Sequence, residues 1–526
     1  MTRVNGYAKS LVKCVLPAAA AILFFAVATR AATADSSAPV VKTGAGEIRG
    51  IFAENVREFL GVPYAAPPVG NLRWQPPEPH ASWSNTLDAS RPGSSCAQMS
   101  FRGSHTEGSE DCLYLNIYAP NAARTRLPVM VWIHGGTFVV GSGAMYDGSK
   151  LAEKGNLIVV TINYRLGPFG FLASHSLDAT DVRHVSGNYG LLDQQAALRW
   201  VQGNIAAFGG DPHKVTVAGE SAGAISIGLH LVSPAAAGLF ERAILESGPF
   251  LRILRTLTLS EAEKRGDEFA AKLGCDKEHD VARCMRAKPA EQVLTAIPAS
   301  PLAASRPVWV PVMDSHLIPT QPVEALTAGH FNKVPVINGS NRNEGTLFLA
   351  FGKQLSAQEF EGQICSRFGD NAARVLAAYP LANYATPTLD AAAGFGDATF
   401  SCQIARAAAL LSAQIPVYQY EFNDTHAPIR FPPPYPLGAY HSSEIQYVFG
   451  RIADNDSATP AQKELSAAIM GYWIRFIATG NPGGSPAWTR YSASDPKILS
   501  LAPKAIGYES DFAKVHHCDL WDSIAR

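Results

Sequence analysis

The sequence lacks an excess of charge of either sign. Its 526 residues include 44 Lys and Arg against 45 Asp and Glu, giving a formal net charge of -1, and no basic stripe stands out. Nucleic acid is therefore excluded as an expected partner. Internal repeats and heptads are also missing, which excludes repeat and coiled-coil architectures. No C-x-x-C pair or His/Cys cluster has the spacing of a zinc site, so we predict no metal and no cofactor.

The N-terminus has no apolar run long enough to cross a membrane. Its apolar segment, Val15–Ala28, is shorter than the roughly 20 residues that a membrane span needs. Three basic residues precede it and an A-x-A motif at 32–34 follows, which is the order found in a signal peptide. We predict a signal peptide over residues 1–34 and a single exported domain over 35–526, secreted or periplasmic, with an uncleaved anchor as the alternative. We expect a monomer or weak dimer.

Cysteine is scarce, with eight in the whole chain. Cys14 precedes the apolar run, so it is not a lipid-attachment cysteine. The exported chain would keep seven, and export permits disulfides. Two pairs are close in sequence, Cys96 with Cys112 and Cys275 with Cys284. The odd count leaves one thiol over.

What the chain does have is a series of short apolar segments alternating with helical ones. Gly190–Ile205 has helical periodicity. Strands alternating with helices predict an α/β fold, with a large, mostly parallel sheet covered by helices on both faces. Helix-rich stretches at about 250–330 and 350–410 are expected above the C-terminal edge of the sheet, where such sheets bind ligands. The predicted strands are Val129–Ile133, Leu157–Ile162, Val215–Ala218, Arg242–Leu245, Val334–Asn338 and Pro416–Phe422.

One motif carries most of the chemical information. Gly219-Glu220-Ser221-Ala222-Gly223 follows a predicted strand and leads into a predicted helix. G-x-S-x-G in that setting predicts a nucleophile elbow, a turn so tight that it holds the serine in a strained backbone conformation. Taken alone, the motif is modest evidence for a nucleophile elbow, because an ordinary turn can have the same residues.

A serine nucleophile needs a base, an acid and donors for the oxyanion. His441 follows a loop and precedes a helical segment, and Glu344 comes shortly after a predicted strand, although a solvated loop glutamate is the simpler reading. The glycine-rich segment His134–Phe138 follows the Val129–Ile133 strand and can turn backbone N–H groups into a site.

Taken in order, several blocks resemble the type B carboxylesterases, the family that includes the cholinesterases, within the α/β-hydrolase fold. They span about residues 40 to 523. The blocks are Gly61–Ala65, Leu72–Trp74, Glu110–Asn116, Trp132–Phe138, Asn163–Arg165, Gly170–Leu172, Gly187–Gln194, Phe208–Pro212, the elbow, and the segments around Glu344 and His441.

The resemblance implies an ester hydrolase acting on a small-molecule ester, and it implies roles for individual residues. It implies a Ser-acid-His triad, oxyanion donors on the backbone, and buried groups that support the base and acid. The family often has glycine where Thr137 stands, so the added side chain is expected to narrow the oxyanion hole and restrict bulky alcohols. The implied residues are Ser221, Glu344 and His441 for the triad, the N–H groups of Gly136, Thr137 and Ala222 for the oxyanion, and Glu220, Ser247 and Glu444 as supporting groups.

The resemblance also implies the disulfide pairing and one salt bridge. The implied salt bridge is Arg73 with Glu110, and Cys365 is left as the free thiol. A Cys365–Cys402 pairing is the alternative. The implied disulfides are Cys96–Cys112, Cys275–Cys284 and Cys402–Cys518.

The chain departs from cholinesterases inside the first of these loops. Residues 97–111 contain no tryptophan to bind choline by a cation–π contact, so choline esters are poor candidates. Two other functions stay open: hydrolysis of amides or carbamates by the same triad, and a non-catalytic binding protein of the same fold.

Overall fold

The structure, a computed structural model, describes residues 38–101, 103–121, 125–251, 258–297, 308–429 and 431–524. The predicted signal peptide, residues 1–34, lies outside this range. The described residues from Pro39 onward group into one compact unit. No helix among them is both long enough and apolar enough to cross a membrane.

The described residues form sixteen strands. β13 and β14 start one or two residues later than predicted, because Pro335 and Pro416 have no N–H to donate to a neighbouring strand. The strands are β1 (Val40–Lys42), β2 (Glu47–Arg49), β3 (Ile51–Ala53), β4 (Val56–Pro63), β5 (Leu87–Asp88), β6 (Gln98–Met99), β7 (Thr106–Glu107), β8 (Tyr114–Pro120), β9 (Leu127–Ile133), β10 (Ile158–Ile162), β11 (Gly210–Glu220), β12 (Arg242–Glu246), β13 (Val336–Asn341), β14 (Val417–Phe422), β15 (Ile498–Leu501) and β16 (Gly507–Glu509).

Eleven of these strands form one large sheet, in the order β16-β15-β14-β13-β12-β11-β9-β10-β8-β4-β3. All neighbours from β10 through β9 and β11 to β15 pair in parallel, and the outer strands pair antiparallel. The predicted α/β fold with a mostly parallel sheet is therefore confirmed.

Alternation along the strands gives the sheet two buried faces. In β9, Val129 and Val131 pack into one hydrophobic core, and Met130 and Trp132 pack into a second. Successive strand residues point to opposite faces, so a continuously apolar strand needs cover on both sides.

Among the described residues, eighteen α-helices supply that cover and the insertions between strands. They are α1 (Ser149–Gly155), α2 (Gly167–Phe171), α3 (His175–Asp178), α4 (Tyr189–Asn204), α5 (Ala222–Val232), α6 (Leu259–Lys272), α7 (Val281–Arg286), α8 (Ala290–Thr295), α9 (Pro322–Ala328), α10 (Thr346–Leu349), α11 (Ala357–Phe368), α12 (Ala372–Ala378), α13 (Pro387–Gly396), α14 (Cys402–Ser412), α15 (Ile445–Val448), α16 (Pro460–Thr479), α17 (Phe512–Val515) and α18 (Cys518–Ile524).

The long helix α16 illustrates how local sequence fixes an element. Thr459 caps its first turn by accepting from the Gln462 N–H, Pro460 occupies the first position, and Gly480 ends it with φ of 77°. Its buried face, which includes Trp473, packs in the second core. α16 thereby places the indole N–H of Trp473 at the end of β12.

Three disulfides join described residues: Cys96–Cys112, Cys275–Cys284 and Cys402–Cys518. Cys365 is unpaired and exposed. The implied Arg73–Glu110 bridge is also present, with Arg73 Nε 2.6 Å from Glu110 Oε2.

We expect Cys402→Ser to lower the free energy of unfolding by about 4–5 kcal/mol, because the Cys402–Cys518 bond closes a loop with a sequence separation of 116 residues. Denaturant unfolding under non-reducing conditions measures this loss. Cys365→Ser is the matched control and should leave the unfolding midpoint within error. Equal midpoints for both variants would contradict the prediction.

Candidate active site

The predicted elbow lies where β11 ends and α5 begins. Ser221 stands between them with φ of 55° and ψ of -122°, a conformation that an L-residue rarely adopts. A Cβ on Gly223 would lie 2.0 Å from the Ile133 carbonyl oxygen, and one on Gly219 would lie 2.5 Å from the same atom. Both glycines of the motif are therefore required by close packing of the elbow on β9.

Glu344 and His441 lie together. His441 Nδ1 is 2.6 Å from Glu344 Oε2. The other carboxylate oxygen, Oε1, accepts from the Asn341 N–H at 2.7 Å and from Ser247 Oγ at 2.6 Å. Because a carboxylate only accepts, Nδ1 carries the hydrogen, and Nε2 of the neutral ring is the nitrogen with a free lone pair.

The Nε2 atom of His441 faces the elbow strand. It lies 3.1 Å from Oε1 of Glu220, the residue directly before Ser221. Ser221 itself is buried, with 7% of its surface exposed, and its N–H donates to the Glu246 carbonyl at 2.9 Å. The structure thus brings the imidazole, the acid and the elbow to the C-terminal ends of β11, β12 and β13.

Aromatic rings enclose the imidazole. Phe348 and Phe400 lie 5.0 Å and 4.8 Å from the His441 ring, measured between centroids. Neither was predicted from the sequence, because single phenylalanines in helical segments look like ordinary core. They come from α10, which lies just before the helix-rich stretch predicted at about 350–410, and from a π-helical turn at Asp397–Ser401 within that stretch.

The glycine-rich loop after β9 runs beside the elbow. A Cβ on Gly135 would lie 3.0 Å from Ser221 Cβ and 2.8 Å from the Glu220 carbonyl oxygen. Gly136, Thr137 and Phe138 all have positive φ, at 106°, 53° and 64°. This geometry folds the loop back over the end of its own strand.

The three predicted oxyanion donors are available for hydrogen bonds. Ala222 is the first residue of α5, so its N–H has no acceptor within the helix. In the described part of the chain, no carbonyl or side chain accepts from the N–H of Gly136 or Thr137. The positive end of the α5 dipole adds to the attraction for an anion at this position.

Four buried carboxyl groups form a cluster at this site, Glu220, Glu246, Glu344 and Glu444, and two of them, Glu220 and Glu344, contact His441. Glu246 was not predicted. It pairs in register with Glu220 on the neighbouring strand, and its Oε1 accepts from Trp473 Nε1 at 2.8 Å. Glu444 Oε2 accepts from the Asn341 side chain. Close packing of like charges in a buried site makes it costly to ionise all four.

The pKa shifts follow from that crowding. Burial raises the pKa of Glu246 to about 8, with the Glu220 charge adding to the rise and the Trp473 hydrogen bond opposing it. Burial also raises the pKa of Glu220 to about 7, where the His441 charge opposes the rise. The pKa of Glu444 lies well above its usual value, chiefly because of burial. Burial therefore favours the neutral, protonated form of Glu246 and Glu444 over the charged form.

The pKa of His441 also shifts upward. Burial lowers the pKa of His441, but the charges of Glu220 and Glu344 outweigh it, so the net pKa is raised. A group that takes a proton must be neutral, so the predicted role of His441 as base implies that kcat/KM falls as the pH drops through this raised pKa.

We expect Glu220→Gln to move the acid limb of the kcat/KM profile to lower pH by about one unit, because it removes one of the two charges that hold the His441 pKa up. A pH series with a p-nitrophenyl ester measures the limb. The exposed Glu464→Gln on α16 serves as the control and should leave it in place. A limb that stays fixed or moves to higher pH in Glu220→Gln would contradict the prediction.

Across the described ranges, no cluster of three or more His, Cys, Asp or Glu side chains is arranged to hold a metal ion. The groups at hand are a hydroxyl, an imidazole paired with a carboxylate, and free N–H donors, a set suited to acyl transfer.

Comparison with known proteins agrees with that chemistry. The model of the carboxylesterase family matches residues 37–521. The chain belongs to this family. The carboxylesterase is 39% identical over 489 residues to para-nitrobenzyl esterase of Bacillus subtilis (strain 168), covering 88% of this chain and 94% of the relative. It is 38% identical over 484 residues to fumonisin B1 esterase of Sphingopyxis macrogoltabida, covering 88% and 86%.

Comparison with solved structures supports the same family and identifies the fold. A PNB esterase structure matches the carboxylesterase with a TM-score of 0.79 and 36% identity, covering 92% of this chain and 100% of that one. The fold is the α/β-hydrolase fold, and the carboxylesterase is a carboxylic-ester hydrolase.

Proposed function

We propose that this carboxylesterase hydrolyses small-molecule esters through an acyl-enzyme on Ser221, with His441 as general base and Glu344 as the acid of the triad. The observation that carries the proposal is the 2.6 Å contact of Glu344 with His441 Nδ1, which leaves Nε2 as the basic atom on the side of the elbow. The strained φ of Ser221 supports its role as nucleophile.

The reaction runs in two matched halves. In the first, Ser221 Oγ attacks the ester carbonyl and the hydroxyl proton passes to His441 Nε2. The tetrahedral intermediate then collapses and expels the alcohol, which receives that proton from the imidazolium. In the second, water attacks the acyl-enzyme, gives its proton to Nε2, and the acid leaves as Ser221 recovers the proton. Glu344 stabilises the imidazolium in both halves.

The N–H groups of Gly136, Thr137 and Ala222 bind the oxyanion in each half. Such donors act in a site that excludes water, where loss of one costs about 10²–10³ in rate. Ser247 keeps Glu344 oriented through its hydrogen bond of 2.6 Å. Glu220 lies beside the base and adds a charge that favours the imidazolium.

The sequence favours some substrates over others. The absence of tryptophan from 97–111 disfavours choline esters. The Thr137 side chain disfavours esters of tertiary alcohols, because it adds bulk beside the oxyanion. Two relatives have names that specify a para-nitrobenzyl ester and fumonisin B1, so a para-nitrobenzyl ester is one of the first compounds to test.

We further propose export as a single domain over residues 35–526, to the periplasm or the medium, as a monomer or weak dimer. Three disulfides support an oxidising compartment. Mass spectrometry of the mature chain tests this, and an N-terminus at Met1 in the purified exported protein would contradict cleavage.

A two-part experiment tests the catalytic proposal. Turnover is measured on p-nitrophenyl esters of increasing acyl length against matched anilides and carbamates, and a p-nitrophenyl phosphonate is then used to label the enzyme for peptide mapping. We expect ester turnover and one phosphonyl group, on the peptide containing Ser221. Faster turnover of anilides or carbamates would favour the amidase or carbamate alternative. No turnover of any substrate would favour the binding-protein alternative.

A further inference from the structure

Thr137 adopts a backbone conformation that its residue type disfavours. It has φ of 53°, in the left-handed region. A β-branched residue is an outlier there, because the two heavy atoms on its Cβ, Oγ1 and Cγ2 in threonine, crowd the backbone. Such a conformation persists only where surrounding contacts impose it, and it recurs at functional sites.

The contacts that impose it converge on one atom, the carbonyl oxygen of Gly136. The Thr137 hydroxyl donates to this oxygen at 2.8 Å. The N–H groups of Val139 and Val140 donate to it at 3.0 Å and 3.1 Å. The side chain of Thr137 thus supplies one of three hydrogen bonds that fix the peptide unit joining Gly136 to Thr137.

That peptide unit contains a proposed oxyanion donor. The Gly136 carbonyl and the Thr137 N–H lie in one plane, and in a trans peptide they point in opposite directions. Fixing the carbonyl on one side therefore aims the N–H at the other. We propose that the Thr137 hydroxyl is a positioning group of the oxyanion hole, which holds this peptide with its N–H directed at the reacting carbonyl; the inference rests on the proposed function.

The other two donors are held in the same way by different groups. The Ser221 carbonyl, in the peptide that carries the Ala222 N–H, accepts from the Ile225 N–H at 2.8 Å. The Gly135 carbonyl, in the peptide that carries the Gly136 N–H, lies 2.8 Å from His134 Nδ1. Thr137 differs because the hydroxyl that fixes its peptide belongs to the same residue as the donor N–H. A single substitution can therefore remove the hydroxyl and leave the donor N–H in place.

Three substitutions separate the parts of the side chain. Thr137→Val keeps the branched shape and removes the hydroxyl, Thr137→Ser keeps the hydroxyl and removes the methyl group, and Thr137→Gly removes both while tolerating the positive φ. With an ester of a primary alcohol, we expect Thr137→Val and Thr137→Gly to lose about tenfold in kcat with KM nearly unchanged. This is less than the 10²–10³-fold cost of deleting a donor outright. Thr137→Ser should stay close to the wild type.

Inhibition by a trifluoromethyl ketone distinguishes a positioning role of the hydroxyl from a merely structural one. The ketone's adduct with Ser221 carries an oxyanion, so its inhibition constant should rise by about the same tenfold in Thr137→Val as kcat falls. The binding constant of the product acid should not change. Thr137→Gly repeats the test should Thr137→Val fail to fold.

The outcomes separate the two proposals. Wild-type enzyme labelled at Ser221 by the phosphonate, together with unchanged kcat and ketone affinity in Thr137→Val and Thr137→Gly, would overturn the positioning role and leave the proposed function standing. Wild-type enzyme that is not labelled at Ser221 would overturn both. Parallel losses in kcat and ketone affinity, rescued in Thr137→Ser, would support the inference.

Discussion

Replacement of Ser221 by alanine should abolish ester turnover, with kcat falling by roughly 10⁵–10⁶-fold. In the proposed mechanism the Ser221 hydroxyl forms the covalent bond to the acyl group, and no neighbouring group can take over that role. Alanine accepts the backbone conformation no worse than serine does, so the fold and the binding of a product acid should persist. Stopped-time assays at high enzyme concentration measure the residual rate, and circular dichroism checks the fold.

Ser226 offers a matched control on the same helix. Its hydroxyl donates to the Ala222 carbonyl at 2.9 Å and accepts from Gln194 at 3.1 Å, both within the buried core. Ser226→Ala removes a buried hydroxyl of the same kind at one helical turn's distance, and we expect turnover within about tenfold of the wild type. Wild-type turnover in Ser221→Ala would refute the assignment of the nucleophile.

Replacement of Glu344 by glutamine should lower kcat by roughly 10³–10⁴-fold. The glutamate oxygens accept three hydrogen bonds, from the Asn341 N–H, Ser247 Oγ and His441 Nδ1. A glutamine amide has only one oxygen, so its NH₂ group must face one of these donors. If it faces the imidazole, His441 is driven into the tautomer with the hydrogen on Nε2, which cannot accept the Ser221 proton.

Glu444→Gln is the comparison for this variant, because it changes another buried glutamate of the same cluster. Burial raises the pKa of Glu444 well above its usual value, which favours the neutral carboxylic acid, and glutamine reproduces the charge of that form. We expect a loss below about tenfold, since the substitution changes neither the charge near the base nor its tautomer. Equal losses in Glu344→Gln and Glu444→Gln would show that charge crowding, and not the triad contact, controls the rate.

The sequence was sufficient to predict some of this site and insufficient for the rest, for identifiable reasons. The elbow could be predicted because a Cβ at either of its glycines would lie 2.0 Å or 2.5 Å from the Ile133 carbonyl oxygen of β9, so the fold requires glycine at both positions. The strands around it could be predicted because burial on both faces makes them continuously apolar. Glu344 and His441 were candidates from their positions after a strand and a loop, but only the family resemblance assigned them to a triad, since neither has a distinctive local pattern.

Other features depend on how distant segments meet, and no local pattern encodes that. Phe348 and Phe400 flank His441 because α10 and the π-helical turn at Asp397–Ser401 converge on it. Glu246 joins the carboxyl cluster because β12 lies beside β11 in register and α16 brings Trp473 to it. The contact of His441 with Glu220 likewise follows from tertiary packing.

A crystal structure of the phosphonate adduct tests the central claim most directly. The account predicts phosphorus bonded to Ser221 Oγ, a phosphonyl oxygen within hydrogen-bonding distance of the Gly136, Thr137 and Ala222 N–H groups, and His441 Nε2 within about 3.2 Å of an adduct oxygen. An adduct on another residue, or an imidazole that stays paired with Glu220 and out of reach of the Ser221 oxygen, would contradict it.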